Sequence, residues 1–95
     1  MAHRSIMMNL DNDVCFLCGR RGNVQCHHVM HGSANRKLAE QDGLMVNLCF
    51  SCHHILHDTG RGDKELMKVA EARWLDYNFA CVDDFIARYG KNYLD

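Results

Sequence analysis

The chain has 95 residues, of which 24% are charged and 47% hydrophobic, and its formal net charge is −1 with the histidines neutral. That length suits a single domain over 1–95, with a core too small to be more than marginally stable unaided, so a staple is expected. No apolar run approaches a bilayer span, no stretch has linker composition, and no N-terminal apolar segment with a cleavage site marks secretion. A soluble cytoplasmic protein without a membrane partner is the resulting expectation.

Six cysteines offer the staple. Without a secretion signal, metal ligation reads better than a disulfide framework, which is the weaker alternative. A tetrathiolate zinc site would take the net charge to about −3, so bulk charge does not advertise nucleic acid. Local basic clusters decide phosphate contact instead.

In chain order, 1–12 has no clear period and reads as an irregular lead-in to which the sequence assigns no role. The segment 13–59 is dense in Cys, His and Gly, whereas 63–95 is helical in pattern. Cys15-Phe16-Leu17-Cys18-Gly19 is a metal knuckle whose glycine permits the tight turn. Residues 24–29 predict a short strand. Residues 33–43 are polar, with Leu38 and Ala39 their main apolar members, and predict a long excursion containing one helical turn. Residues 44–48 predict a returning strand, and 50–58 a helix without breakers.

Beyond Asp63, residues Leu66, Val69, Ala70, Trp74 and Tyr77 recur at helical spacing and predict an amphipathic helix. Val82, Phe85, Ile86 and Tyr89 repeat the pattern, with Asp83 and Asp84 in the first turn and Gly90 past the end, predicting a second. The spacing of Trp74, Tyr77, Phe85 and Tyr89 assigns all four to the core rather than to base stacking.

Cys15-x2-Cys18 and Cys49-x2-Cys52 are two knuckles, and the 30 residues between them suffice for a hairpin that unites them around one structural zinc. With four protein ligands that zinc has no open position for catalysis. Cys26 and Cys81 are left over and read as small buried or inert thiols.

Six of the seven histidines lie between Cys26 and Asp58. His53 and His57 share a helical face starting at a zinc cysteine, and His27-His28 ends the first strand, so a second metal centre can form between them. Neighbours on a strand point to opposite faces, so His27 and His28 serve one site only where the strand ends. Phosphodiester hydrolysis needs an activated water and stabilisation of charge on the phosphate, which an imidazole base and a metal supply. His3, His31 and His54 read as solvent-facing, with His31 an open phosphate contact.

His27-His28, followed by Leu48-Cys49-x2-Cys52-His53-x3-His57 and joined to the Cys15-x2-Cys18 knuckle, resembles the zinc-ribbon HNH endonucleases of the ββα-metal (His-Me finger) class. Gly32-Ser33-Ala34-Asn35-Arg36-Lys37-Leu38, Gly43-Leu44-x-Val46-x-Leu48-Cys49, Asp84-Phe85-Ile86 and Tyr89-Gly90-Lys91-Asn92-Tyr93-Leu94 are similar to small phage-encoded members. The resemblance implies an α+β fold, a small ββα-metal core with a four-cysteine zinc ribbon followed by two C-terminal helices. It implies a metal-dependent endonuclease acting on duplex DNA in the host cell cytoplasm. His28 would be the general base, and His27, His53 and His57 would ligate a catalytic divalent ion, magnesium or manganese, with zinc or nickel also suited to imidazoles. Relatives carry an asparagine where this chain has Leu44, so Asn35 or Asn47 must stand in, and Asn35 is favoured for orienting the loop at His28. Arg36, Lys37 and Arg61 are the expected DNA contacts, joined by Arg20-Arg21 and Lys64. The alternative is a non-catalytic zinc ribbon binding DNA or protein; monomer and homodimer stay open.

Overall fold

A computed structural model describes residues 5–94. His3 lies outside them. The elements run β1 (Val24–His28), α1 (Ser33–Asp42), β2 (Met45–Cys49), α2 (Phe50–Thr59), α3 (Asp63–Asn78) and α4 (Val82–Tyr89). The fold is therefore α+β, with one two-stranded sheet and four helices among the described residues. No helix among them is long and apolar enough to cross a membrane.

The strands pair antiparallel, with Val24 opposite Cys49, His27 opposite Val46 and His28 opposite Met45. All five residues of β2 are buried, whereas in β1 only His27 is. The buried strand is walled on one edge by the lead-in, which does have a role. Ser5 Oγ donates to the carbonyls of Gly43 and Met45, the Ile6 amide donates to Gly43 O at 2.9 Å, and Met7 enters the core.

The segment 33–43 departs from expectation. It is a ten-residue helix rather than an excursion with one turn. Its own sequence offers little apolar periodicity, so its stability comes from its termini and from distant partners. Gly43 closes it in the left-handed conformation, at φ 79°, donating to Ala39 O. Asp42 in its last turn accepts from Trp74 Nε1 at 2.9 Å, Arg88 Nη2 at 2.7 Å and Tyr89 Oη at 2.6 Å. One carboxylate thus ties α1 to both C-terminal helices, and pairing with Asp42 holds the Arg88 guanidinium above its usual range. Burial first, and then the Asp42 hydrogen bond, holds the Tyr89 phenol far above the tyrosine range.

Trp74 and Phe85 meet edge to face at 5.4 Å between ring centroids, and Phe85 stacks on Tyr89 at 4.7 Å. These three are core, as their spacing predicts. Tyr77 is not: it is exposed, near the C-terminal end of α3. Cys26 and Cys81 are also exposed rather than buried. Cys81 stands at the N-cap of α4, where its amide donates to Asp84 Oδ2 at 3.1 Å.

Candidate metal centres and cleft

The first knuckle is a short turn. The Gly19 amide donates to Cys15 O at 2.9 Å, the Cys15 amide donates to Arg20 O at 2.8 Å, and Gly19 adopts φ 77°. The Phe16 amide donates to Asn47 O at 2.8 Å, fixing the knuckle to β2. Cys49 ends that strand and Cys52 lies in the first turn of α2, so the second knuckle forms where strand becomes helix. The sulfurs of Cys15, Cys18, Cys49 and Cys52 all lie within 4.8 Å of one another, and Cys18 Sγ is 3.7 Å from Cys49 Sγ. Four thiolates around zinc at ~2.3 Å sit about 3.8 Å apart, so the spacing fits that ion.

The electrostatics agree. Burial raises the Cys15 thiol, but the amides of Cys49, Cys18 and Leu17 outweigh it and bring Cys15 down to about 6. Burial and the neighbouring Cys49, Cys15 and Cys18 push Cys52 up to about 12. One thiolate is comfortable there and four are not, unless a cation shares the space.

The second cluster is built on the next residues. His53 and His57 are one helical turn apart on α2, and their Nε2 atoms approach to 3.0 Å. His27 projects from β1 onto them, with ring centroids 5.3 Å from His53 and 6.1 Å from His57. One ring nitrogen of each lies within 4.8 Å of the others. His27 is only 5% exposed, and its Nε2 is buried with no hydrogen-bond partner. An orphaned buried imidazole nitrogen is costly unless something accepts or coordinates it. Burial, and then the neighbouring His53 and His31, lower the His27 imidazole to about 4, and burial followed by His57 lowers His53. Both rings are therefore neutral near pH 7, the form in which imidazole ligates a metal.

The three rings stand in a cleft of about 570 Å³ that is also lined by Cys26, His28, His31, Gly32, Ser33 and Arg36. His28, next to His27 at the end of β1, also lines this cleft, and its Nε2 is 3.7 Å from Glu40 Oε1 on α1. His31, 32 residues from Asp63 in sequence, binds its carboxylate at 2.7 Å. That pairing is unreadable from local pattern, since it depends on α3 beginning beside the cleft. His54 is solvent-facing, as expected, and pairs with Asp58.

The asparagines fall elsewhere. Asn35 lies in the first turn of α1, and its amide donates to Tyr89 O at 3.3 Å, fastening α1 to α4 instead of orienting a loop at His28. Asn47 is buried and donates to Leu10 O and Asn12 O, tying the lead-in to β2. A carboxylate near His28 comes instead from Glu40, a residue that no motif singles out.

Of the expected DNA contacts, Arg36 lines the cleft, and Lys37 joins it around an adjoining hollow shared with His28, Ser33 and Glu40. Arg61 is exposed in the turn between α2 and α3 and lines neither. In comparison with known proteins, the chain matches no family model, no curated protein and no solved structure.

Proposed function

We propose that the chain is an HNH endonuclease of the ββα-metal type that hydrolyses DNA phosphodiester bonds, with β1, β2 and α2 forming the catalytic core around a structural zinc held by four cysteines. The observation that carries this reading is the convergence of His27, His53 and His57, one with an orphaned buried nitrogen, in the cleft that His28 also lines.

The donor set fits a divalent ion. At ~2.1 Å from an octahedrally coordinated ion, neighbouring ligand nitrogens sit about 3 Å apart, close to the 3.0 Å His53–His57 separation. When bound, the ion supplies positive charge to the phosphate oxygens and the departing oxygen. His28 takes a proton from water, and the hydroxide attacks phosphorus as the bond to the 3′ oxygen breaks. The 3′ oxygen leaves with a proton from solvent, giving a 5′ phosphate and a 3′ hydroxyl. Glu40 Oε1, 3.7 Å from His28 Nε2, places a negative charge beside the ring that favours its taking up the proton.

A non-catalytic zinc ribbon is the second reading, favoured by the engagement of Asn35 with Tyr89. Plasmid nicking in magnesium or manganese separates the two. Wild type is expected to convert supercoiled to open-circular DNA, and His28→Ala to lose at least about 100-fold in rate while its circular dichroism is unchanged. Absence of metal-dependent nicking, or equal nicking by the variant, overturns the nuclease reading.

A further inference from the structure

Helix α1 begins in the wall of the cleft. Its N-cap is Gly32, at φ 91° and ψ 149°; no side chain caps the helix, and its first turn holds no acidic residue. The Arg36 amide is the first to enter the helical ladder, donating to Gly32 O at 2.8 Å. The amides of Ser33, Ala34 and Asn35 precede it and have no intrahelical acceptor, so they form the positive end of the helix dipole. Gly32, Ser33 and Arg36 all line the histidine cleft, and a Cβ built at Gly32 would meet nothing within 4 Å. Independently, the buried and unpartnered Nε2 of His27 belongs to the same cleft. The cleft thus has two sides with groups left to satisfy: the buried Nε2 of His27 on β1, and the N–H donors that open α1.

We infer that the α1 N-terminus holds the phosphodiester group on which the cleft acts: the amides of Ser33, Ala34 and Asn35, the Ser33 hydroxyl and the Arg36 guanidinium bind its non-bridging oxygens, while its other side faces His27, His53 and His57. This rests on reading the histidine cluster as a metal centre. Anion binding at a helix N-terminus needs no side-chain cap, and a cap carboxylate would exclude it. An adjacent arginine adds charge-assisted hydrogen bonds to the same group.

Ser33→Asp gives a variant that separates this role from a structural one. A carboxylate at that position favours the helix dipole, so folding should be retained or strengthened, whereas a phosphate is repelled. Zinc-loaded full-length protein in magnesium would be titrated with a 12-base-pair DNA duplex, and separately with inorganic phosphate, while 1H–15N spectra are recorded. Saturable shifts at the Ser33, Ala34 and Asn35 amides are expected with duplex, and Ser33→Asp should weaken duplex binding by about tenfold or more. Arg36→Gln, a milder change, should weaken it roughly threefold to tenfold. Duplex binding that leaves the α1 amides unmoved, wild-type affinity in both variants, or saturation by inorganic phosphate without response to duplex would each overturn the inference. The readout is binding, so α1 shifts without any nicking would retain this phosphate site and sink the nuclease reading, and nicking without α1 shifts would do the reverse.

Discussion

Cys52 and His53 are adjacent in the first turn of α2, yet their side chains join two different ligand groups, one with Cys15, Cys18 and Cys49 and the other with His27 and His57. Successive helical residues are rotated by about 100°, which turns one toward the knuckle and the next toward β1. The start of α2 is pinned from both sides. The Cys49 sulfur also accepts from the Cys52 amide at 3.4 Å, capping the helix that carries the histidines.

A one-way dependence follows. Cys18→Ser or Cys52→Ser should lose zinc and, with it, the fold that brings His53 to His27, because folding and metal binding are one equilibrium in small zinc domains. His53→Ala should keep about one zinc per chain and its helical content while losing the second metal. Metal analysis after mild chelation, with cobalt absorption as the probe of the histidine centre, checks this. Cobalt bound at the histidines of a folded zinc-free cysteine variant would show that the two centres are independent.

Much of this arrangement is legible in the sequence because it is local. The knuckle spacings, the i, i+4 relation of His53 and His57, and the limits of α4 each depend on residues within a turn or two of one another. What is not legible is set at long range. Helix α1 has only Leu38 and Ala39 as main apolar residues and is held by Asp42 contacts to Trp74, Arg88 and Tyr89, more than thirty residues away in sequence. Asn35 could not be read as a partner of Tyr89 for the same reason. Exposed Tyr77 shows the converse limit: helical spacing names a face, but which part of it is covered depends on how distant segments pack.

The His27 imidazole makes folding pH-dependent. Its folded value of about 4 lies below the ordinary 6.5, chiefly through burial. Between those values the unfolded chain binds the proton and the folded chain does not, so this contribution is complete above about pH 6.5 and declines as pH falls toward 4. Full expression would be on the order of 3 kcal/mol. Urea unfolding of zinc-loaded protein, with the histidine centre free of metal, should show stability rising from pH 5 to 7.5 more steeply for wild type than for His27→Gln. The two proteins share the zinc site and every carboxylate, so equal slopes would refute burial of His27 as a neutral ring.

Phe79 ends α3 in the left-handed region, at φ 51°, where a Cβ meets the following carbonyl. It is 97% exposed, so the ring recovers almost nothing through burial for that strain. The backbone needs the conformation, since the Phe79 and Ala80 amides turn back to Asp76 O and Leu75 O to close the helix. Glycine adopts it freely but loses more chain entropy on folding, which offsets part of the gain. Phe79→Gly should therefore stabilise the fold by about 0.5–1 kcal/mol, a rise of several degrees in Tm for a domain of this size. Phe79→Ala keeps the Cβ and should change Tm little. If alanine and glycine raise Tm equally, the strain lies in the exposed ring and not in the backbone; if both lower it, the ring has a packing role that its exposure denies.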